Sequence, residues 1–206
     1  MQQSDDEYCF YCDLADASLT NDIEKVQRLI RKGVNLSGDL SSDLSVDLNS
    51  GSECNTAIFD AITNDSQEIV ELLLDNGVNS NLRHPITTES LLWIALEYNR
   101  IEIAKLLIEH GAELKEFPLT RLVKNPEMLE NALTLGVDVN LVDTQTGRTA
   151  LHEAAIYGYV KTAKLLISKG VDISIKDAWG NTAYDLAVKN KHYEIMKSIK
   201  EVEQLS

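Results

Sequence analysis

Few residues in this chain have the types and spacing that chemistry needs. Cys9-Phe10-Tyr11-Cys12 forms a C-x-x-C pair, the spacing used by zinc sites and by redox dithiols. A structural zinc needs two more ligands, and the remaining candidates (Cys54, His84, His110, His152 and His192) stand singly and far apart. A thioredoxin-like dithiol would be followed by a βαβ pattern, and none follows. Phosphate loops rich in glycine, G-x-S-x-G elbows and H-E-x-x-H helices are absent from the sequence. Its 33 acidic residues include no pair whose setting singles out an acid and a base. These observations point to a non-catalytic protein with no cofactor and no metal. Cys9 and Cys12 are then expected in the first turn of an N-terminal helix, with Phe10 or Tyr11 covering an apolar end.

The elements behind these residues are strongly periodic. Thr149-Ala150-Leu151-His152-Glu153-Ala154-Ala155 is followed by Leu165-Leu166 and Gly170. Cruder copies start at Thr56, with Leu72-Leu73-Leu74 and Gly77, and at Ser90, with Leu106-Leu107 and Gly111. From the Thr-like residue to the closing glycine each copy runs 21 residues, and the copies step by 34 from Thr56 to Ser90 and by 33 from Thr149 to Thr182. Each copy has a short apolar-periodic stretch, a polar break, and a longer apolar stretch ending at glycine. That pattern is helix, turn, helix, closed by a residue suited to the left-handed cap position. One such pair cannot bury its apolar face alone, so neighbours must stack.

A period near 33 with a T-x-L-H-x-A core resembles the ankyrin repeat. The match is fullest at Thr149, Leu151, His152, Ala154, Ala155, Leu165, Leu166 and Gly170, with Ala150 where the family has proline. The resemblance covers about residues 13 to 200. The expected fold is an all-α ankyrin-repeat solenoid of about five helix-turn-helix units plus a C-terminal cap. Residues 1–12 are read as an N-terminal tail or cap and 13–202 as the repeat domain. Asp22 is the expected N-cap of the first unit's second helix, whose Ile23, Val26, Leu29 and Ile30 share one face. Residues 178–202 form the C-terminal cap, with a polar outer face on its last helix.

Two irregularities interrupt the period. The fourth repeat, 117–140, is degenerate: Phe117-Pro118-Leu119 takes the Thr-Pro-Leu place, the connection before it is about half a dozen residues short, and Asn125-Pro126-Glu127 reads as N-cap, first helical residue and first-turn acid. A short first helix is expected there, with either a notch in the stack or plain repeat decay as its meaning. The second irregularity is an insertion at 37–52 after the first unit. Polar residues at odd positions alternate with Leu36, Leu40, Leu44, Val46 and Leu48. A period of two argues for an extended hairpin; a flexible acidic loop is the alternative.

Charge is uneven. Residues 1–139 carry 25 acidic and 10 basic side chains, whereas 140–206 carry 8 and 9; the whole chain is −14. Phosphate backbones would be repelled by the larger part, which argues against nucleic acid. A basic protein would be steered towards it, and solubility alone would also account for it. No apolar run is long enough to span a membrane, and Met1-Gln2-Gln3-Ser4-Asp5-Asp6-Glu7 does not read as a signal peptide. Three cysteines without an even framework suit a reducing compartment, so a cytoplasmic location is expected.

The ankyrin resemblance implies where a partner would bind. In that family ligands meet hairpin tips and the exposed side of each first helix. Carried onto this sequence, the contacts are Glu53, Asn55 and Asn64 in the second unit, and Glu89, Glu97 and Tyr98 in the third. The fifth unit offers Gln145, Thr146, Arg148, Ile156 and Tyr157, and the cap offers Trp179, Asn181 and Lys189. Trp179, Tyr157 and Tyr98 are the expected anchors, because large aromatics carry much of the energy at interfaces. Trp179 could instead pack on the preceding hairpin. Trp93 stands at the family's histidine position and is read as core, while His152 is implied to be structural through backbone hydrogen bonds. The expected function is a non-catalytic protein–protein interaction module, monomeric when free. The alternative is an acidic inhibitor or immunity-type protein covering a basic partner. A third reading, asparagine hydroxylation at Asn140 in Asp138-Val139-Asn140, also comes from the resemblance.

Overall fold

A computed structural model describes residues 13–32, 56–84, 86–115 and 117–204. The expected tail or cap at 1–12 with Cys9 and Cys12, the insertion 37–52, and the candidate contacts Glu53 and Asn55 lie outside these residues. The chain divides into two compact units, Met1–Ala112 and Glu113–Ser206.

The described residues of unit 1 form three helix pairs. They are α1 (13–19) with α2 (Ile23–Arg31), α3 (Thr56–Thr63) with α4 (Gln67–Asp75), and α5 (Leu91–Glu97) with α6 (Ile101–Glu109). Second helices stack on second helices, α2 on α4 and α4 on α6, and α3 stacks on α5. The sequence spacing dictates the buried stripes: Ile69, Val70, Leu73 and Leu74 on α4, and Ile103, Ala104, Leu106 and Leu107 on α6. Helix α5 is buried along its apolar length, and Trp93 sits inside it at 5% exposure, as its core reading required.

Unit 2 repeats the scheme. A 3₁₀ helix, Leu119–Lys124, pairs with α7 (Pro126–Thr134), α8 (Ala150–Tyr157) with α9 (Val160–Ser168), and α10 (Ala183–Lys189) with α11 (Tyr193–Glu203). Helix α8 packs against both the 3₁₀ helix and α10, and α9 against both α7 and α11. The helix-pair stacking and all-α class expected from the resemblance are what the chain adopts. The described residues contain only isolated antiparallel bridges, Arg83↔Ser90 and Val142↔Thr149, each closing a hairpin between pairs.

The turns obey one rule that the sequence pattern did not reveal. Between first and second helices one residue adopts the left-handed conformation: Asn21, Asp65, Asn99, Gly158 and Lys191, with φ of 55°, 62°, 57°, 76° and 62°. Four of these five are not glycine, so the stacked geometry imposes the conformation on residues that resist it to different degrees. The fourth pair has no such residue. Its 3₁₀ helix runs directly into Asn125, whose side chain accepts from the Met128 N–H at 3.2 Å with Pro126 in the first turn. The short first helix expected there is therefore a tighter helix type, which spans the distance with fewer residues per rise. Asp22 caps α2 as expected, accepting from the Lys25 N–H at 2.9 Å.

Candidate binding surfaces of the two units

In unit 2 several of the candidate residues sit on two hairpins built alike. Asp143 opens the first. Its N–H donates to the Arg148 carbonyl at 2.8 Å, and its Oδ1 accepts from the Gln145 N–H (3.1 Å), the Thr146 N–H (2.8 Å) and the Thr146 hydroxyl (2.8 Å). Those bonds, from the Thr146 hydroxyl foremost, hold the Asp143 carboxyl below its usual range. Asp177 opens the second hairpin and is buried. Its Oδ1 accepts from the Trp179 N–H (3.0 Å), the Asn181 N–H (2.8 Å) and the Asn181 side-chain amide (3.1 Å). Burial pushes this carboxyl up, but the Asn181 and Trp179 hydrogen bonds with the Arg148 charge outweigh it, and the net shift is down. The hairpins are tied together where the Ala178 N–H donates to the Thr146 carbonyl at 2.9 Å. That approach needs Gly147: a Cβ there would lie 3.1 Å from the Ala178 nitrogen.

Arg148 joins the two hairpins. Its guanidinium lies 3.3 Å from Glu153 and 3.6 Å from the Asp177 carboxylate, and 4.9 Å above the Trp179 ring centroid. Trp179 thus stacks on the preceding hairpin through Arg148 and still leaves 64% of its surface exposed. The packing on the preceding hairpin is what the structure shows, and the rest of the indole faces solvent. Tyr157 is 59% exposed, at the end of α8, with the Tyr159 ring centroid 5.8 Å away. The two capping boxes hold this framework. Thr149 and His152 cap α8, with the His152 ring contacting Asn181 O at 3.2 Å; Thr182 and Asp185 cap α10. His152 is 1% exposed, and burial lowers its pKa, so the neutral ring is the form the fold holds.

The structure brings Thr146, Arg148, Trp179 and Asn181 together. Thr146 and Asn181 serve the hairpin turns through their side chains. Gln145 is exposed beside them, Ile156 is half-buried with its carbonyl facing His192 Nε2 at 3.2 Å, and Lys189 is exposed in the last turn of α10. The Asn140 side-chain oxygen accepts from the Asp172 N–H at 2.8 Å. Asp143, Asp177, Glu153 and Tyr159 complete the surface and were not among the expected contacts. The recurring Asp several residues before a Thr N-cap was their only sequence signal.

In unit 1, Glu89, Glu97 and Tyr98 line one groove of about 200 Å³, together with Phe59, Asp60 and His84. Tyr98 is 50% exposed. The hairpin beside this groove follows the same plan as those of unit 2 with a different residue. His84 Nδ1 accepts from the N–H groups of Ile86 (3.3 Å) and Thr87 (3.2 Å), and the His84 N–H donates to the Glu89 carbonyl at 2.7 Å. The same imidazole packs edge-on against Phe59, with ring centroids 5.0 Å apart. Asn64 donates to the Leu19 carbonyl at 2.9 Å and ties α3's end to the pair before it. Among the described residues no group of three His, Cys, Asp or Glu could hold a metal ion, and no helix is long and apolar enough to cross a membrane.

Comparison with known proteins places these features in a family. The family model described as ankyrin repeats (3 copies) matches residues 14–117 and again 120–204. An ankyrin repeat protein of Fowlpox virus is 29% identical over 177 residues, covering 68% of this chain and 32% of its own. The human ankyrin repeat and SOCS box protein 6 is 30% identical over 129 residues, covering 55% of this chain and 31% of its own. The chain therefore spans about a third of the length of these relatives. Among solved structures, an ankyrin repeat domain from Acinetobacter baumannii superposes with a TM-score of 0.65 at 22% identity, over 90% of this chain and 94% of that one. A chain from the complex of a predatory endopeptidase of Bdellovibrio bacteriovorus with an immunity protein superposes with a TM-score of 0.61 at 24% identity, over 92% and 97%. With the T-x-L-H capping box, the stacked helix pairs and the hairpins between them all in place, the chain belongs to the ankyrin-repeat family.

Proposed function

We propose that this chain is a non-catalytic protein-binding module that holds its partner on hairpin and first-helix residues, acting in a reducing compartment such as the cytoplasm. The observation that carries the reading is the pairing of exposed aromatics with a rigid base. Trp179 and Tyr157 keep well over half of their surface in solvent, while the backbone beneath Trp179 is fixed by a buried carboxylate and an arginine. A solvent-facing indole on a preorganised hairpin loses little conformational entropy on binding, which is what an interface anchor needs. Gln145, Ile156 and Lys189 are the accompanying contacts in unit 2, and Tyr98 is the aromatic candidate of unit 1 on its own.

The test is site-specific photo-crosslinking from positions 157 and 179 in the native cell extract. The wild type is compared with Tyr157→Ala/Trp179→Ala by affinity capture. The reading requires one protein to be crosslinked from these positions and to be lost from capture by the double substitution. Capture that is unchanged by the double substitution sinks it.

A second reading, an acidic inhibitor covering a basic protein, has a specific support in the charge distribution. Residues 1–112 carry 20 acidic and 7 basic side chains, whereas 113–206 carry 13 and 12. The structural neighbour from the complex of an endopeptidase with an immunity protein is a precedent for such a pairing, and at 24% identity its likeness is one of fold alone. Salt separates the readings. Association driven by the acidic part slows steeply between low and physiological ionic strength, while aromatic-anchored association does not.

A further inference from the structure

We infer that the outer face of the last helix pair, α10 with α11, is a self-association surface on which a second copy of this chain docks about a two-fold axis. The inference stands apart from the protein-binding reading, since neither Tyr157 nor Trp179 lines the grooves of this face. It comes from comparing positions one repeat apart. Leu151 and Ala155 on α8 and Ala163 on α9 are 1%, 0% and 0% exposed, where α10 and α11 pack against α8 and α9. The residues 33 positions further on are Tyr184, Val188 and Met196. They take the same places on α10 and α11, yet Tyr184 and Met196 are only half-buried and Val188 is 45% exposed. Tyr193, at the start of α11, is 70% exposed. Among the described residues no helix follows α11 to cover them.

Grooves of about 450 Å³ and 670 Å³ flank Tyr184, the first walled by Tyr193 and Met196 and the second by Ile173. Within one chain Lys200 reaches over this face, its Nζ 5.3 Å from the Tyr184 ring centroid. Two observations select the occupant. The face continues the series of interfaces in which α8 meets α10 and α9 meets α11, so a helix pair is the shape that fits it. Its charges then favour a copy of itself. Three lysines (Lys176, Lys197 and Lys200) and three acids (Asp185, Glu201 and Glu203) line the two grooves. A two-fold interface is self-complementary: a lysine of one copy that meets an acid of the other makes the same contact twice. The Lys197–Glu201 pair along α11 is exposed and long, at 3.9 Å, so exchanging it for pairs across the axis costs little. Residues 113–206 carry 13 acidic and 12 basic side chains, so two such units approach without net repulsion, whereas a strongly acidic or basic partner gains nothing from a balanced rim. With 7 residues in α10 and 11 in α11, the face is about 16 Å long and about 20 Å across two helices. That is small for a specific interface, so the dimer is weak and reversible.

The experiment is sedimentation velocity of the full chain under reducing conditions, from about 5 µM to about 500 µM, with ¹⁵N NMR shifts over the same range to locate the contact. The wild type should pass from monomer towards dimer mass, in place of the monomer expected from the sequence, with shifts concentrated at Tyr184, Val188, Tyr193 and Met196. Val188→Glu/Met196→Glu should weaken the dimer about tenfold or more, because it sets two carboxylates into the apolar centre of the face. Tyr193→Glu, at a side chain outside the core, should weaken it about three- to tenfold with an unchanged melting temperature. Tyr157→Ala/Trp179→Ala should dimerise as the wild type does. A chain that stays monomeric up to about 500 µM overturns the inference, as do shifts that map elsewhere or a dimer that both face variants leave unchanged. Loss of the dimer in Tyr157→Ala/Trp179→Ala overturns it too, by moving the contact to the other surface. If crosslinking from position 193 in cell extract joins a different protein while the purified chain stays monomeric, the face belongs to that partner and the second copy is ruled out. Each of these failures leaves the protein-binding reading to its own test, crosslinking from positions 157 and 179.

Discussion

Replacing His152 by alanine tests the capping logic of unit 2. The ring is 1% exposed and makes three contacts: Nδ1 accepts from the Thr149 N–H at 3.1 Å and faces the Thr149 hydroxyl at 2.8 Å, and Nε2 lies 3.2 Å from the Asn181 carbonyl. The last contact assigns the proton to Nε2, since a carbonyl can only accept. His152→Ala leaves an N–H in a buried corner without its acceptor, and a carbonyl of the next hairpin without its donor. It also opens a cavity of most of an imidazole. Large-to-small core changes cost about 2–5 kcal/mol and a stranded buried polar group about 1–3 kcal/mol, with partial relaxation shared between them. The expected loss is about 3–5 kcal/mol, read by urea unfolding of the full chain followed by circular dichroism. Because stacked pairs couple to nearest neighbours, the loss should appear in the transition reported by α8 to α11, with unit 1 probes little moved. The pH arm sharpens the test. Burial lowers the folded pKa below the unfolded value near 6.5, so the unfolded chain binds the proton more readily. The stability this ring contributes is complete above about pH 6.5 and declines as pH falls from there towards the folded pKa. His152→Ala should remove that decline. A loss under about 1 kcal/mol, or an unchanged pH slope between 6.5 and 5, would refute the structural role given to His152.

Three further outcomes follow from named contacts. Gly158→Ala should cost more than Gly170→Ala, although both glycines have left-handed φ (76° and 79°). A Cβ at 158 would come within 2.5 Å of the His192 ring, whereas nothing lies within 4 Å of one at 170; about 1–2 kcal/mol for Gly170 and at least ~1 kcal/mol more for Gly158 are expected in thermal melts, and equal losses would contradict the packing. His110 has the opposite pH sense to His152: its bond to the Leu106 carbonyl, then its contact with Asp75, raises its pKa, so the stability it adds is complete below about pH 6.5 and lost as pH rises through the folded pKa. His110→Gln should flatten that loss in unit 1, and a slope unchanged from wild type would count against it. His84→Asp should preserve the hairpin, because a carboxylate oxygen can accept the Ile86 and Thr87 N–H groups as Asp143 does at its own turn, whereas His84→Ala should lose protection of both amides by about tenfold or more in hydrogen exchange.

The repeat was legible because it is a hydrophobic period with punctuation, and such periods are what a sequence displays most plainly. Thr149, His152 and Gly170 name their own positions, and Asn125-Pro126 named a helix start that the structure reproduces. What could not be read was conformation imposed by stacking. Asp65 is a residue type that tolerates positive φ, but nothing local favours it at Lys191, where the turn between two packed helices requires it. The 3₁₀ form of Leu119–Lys124 escaped for the same reason, since its composition suits an α-helix and only the shortened connection forces the tighter winding. Among candidate contacts, exposure of Trp179, Tyr157 and Tyr98 followed from position in the repeat. The involvement of Thr146 and Asn181 in turns did not, because a polar residue at a hairpin tip is equally suited to bond a partner or its own backbone.

The hairpins also explain why the two units present different surfaces. At one turn position unit 2 has Asp143 and Asp177, and unit 1 has His84. Both aspartates close the turn with Oδ1, and at Asp177 Oδ2 also faces Arg148, which in turn supports an exposed tryptophan. Negative charge is absorbed inside the hairpin and an aromatic is left facing water. An imidazole closes the same turn with one nitrogen and packs its ring against Phe59. It places no buried carboxylate behind the turn, and Asp60, Glu89 and Glu97 line the groove beside it. The substitution of one turn-closing acceptor by another therefore turns an arginine-supported aromatic shelf into an acidic, tyrosine-walled groove on the same repeat scaffold. Divergence of this kind needs no change in helix packing, because the turn hydrogen bonds survive it and only what stands behind the turn is exchanged.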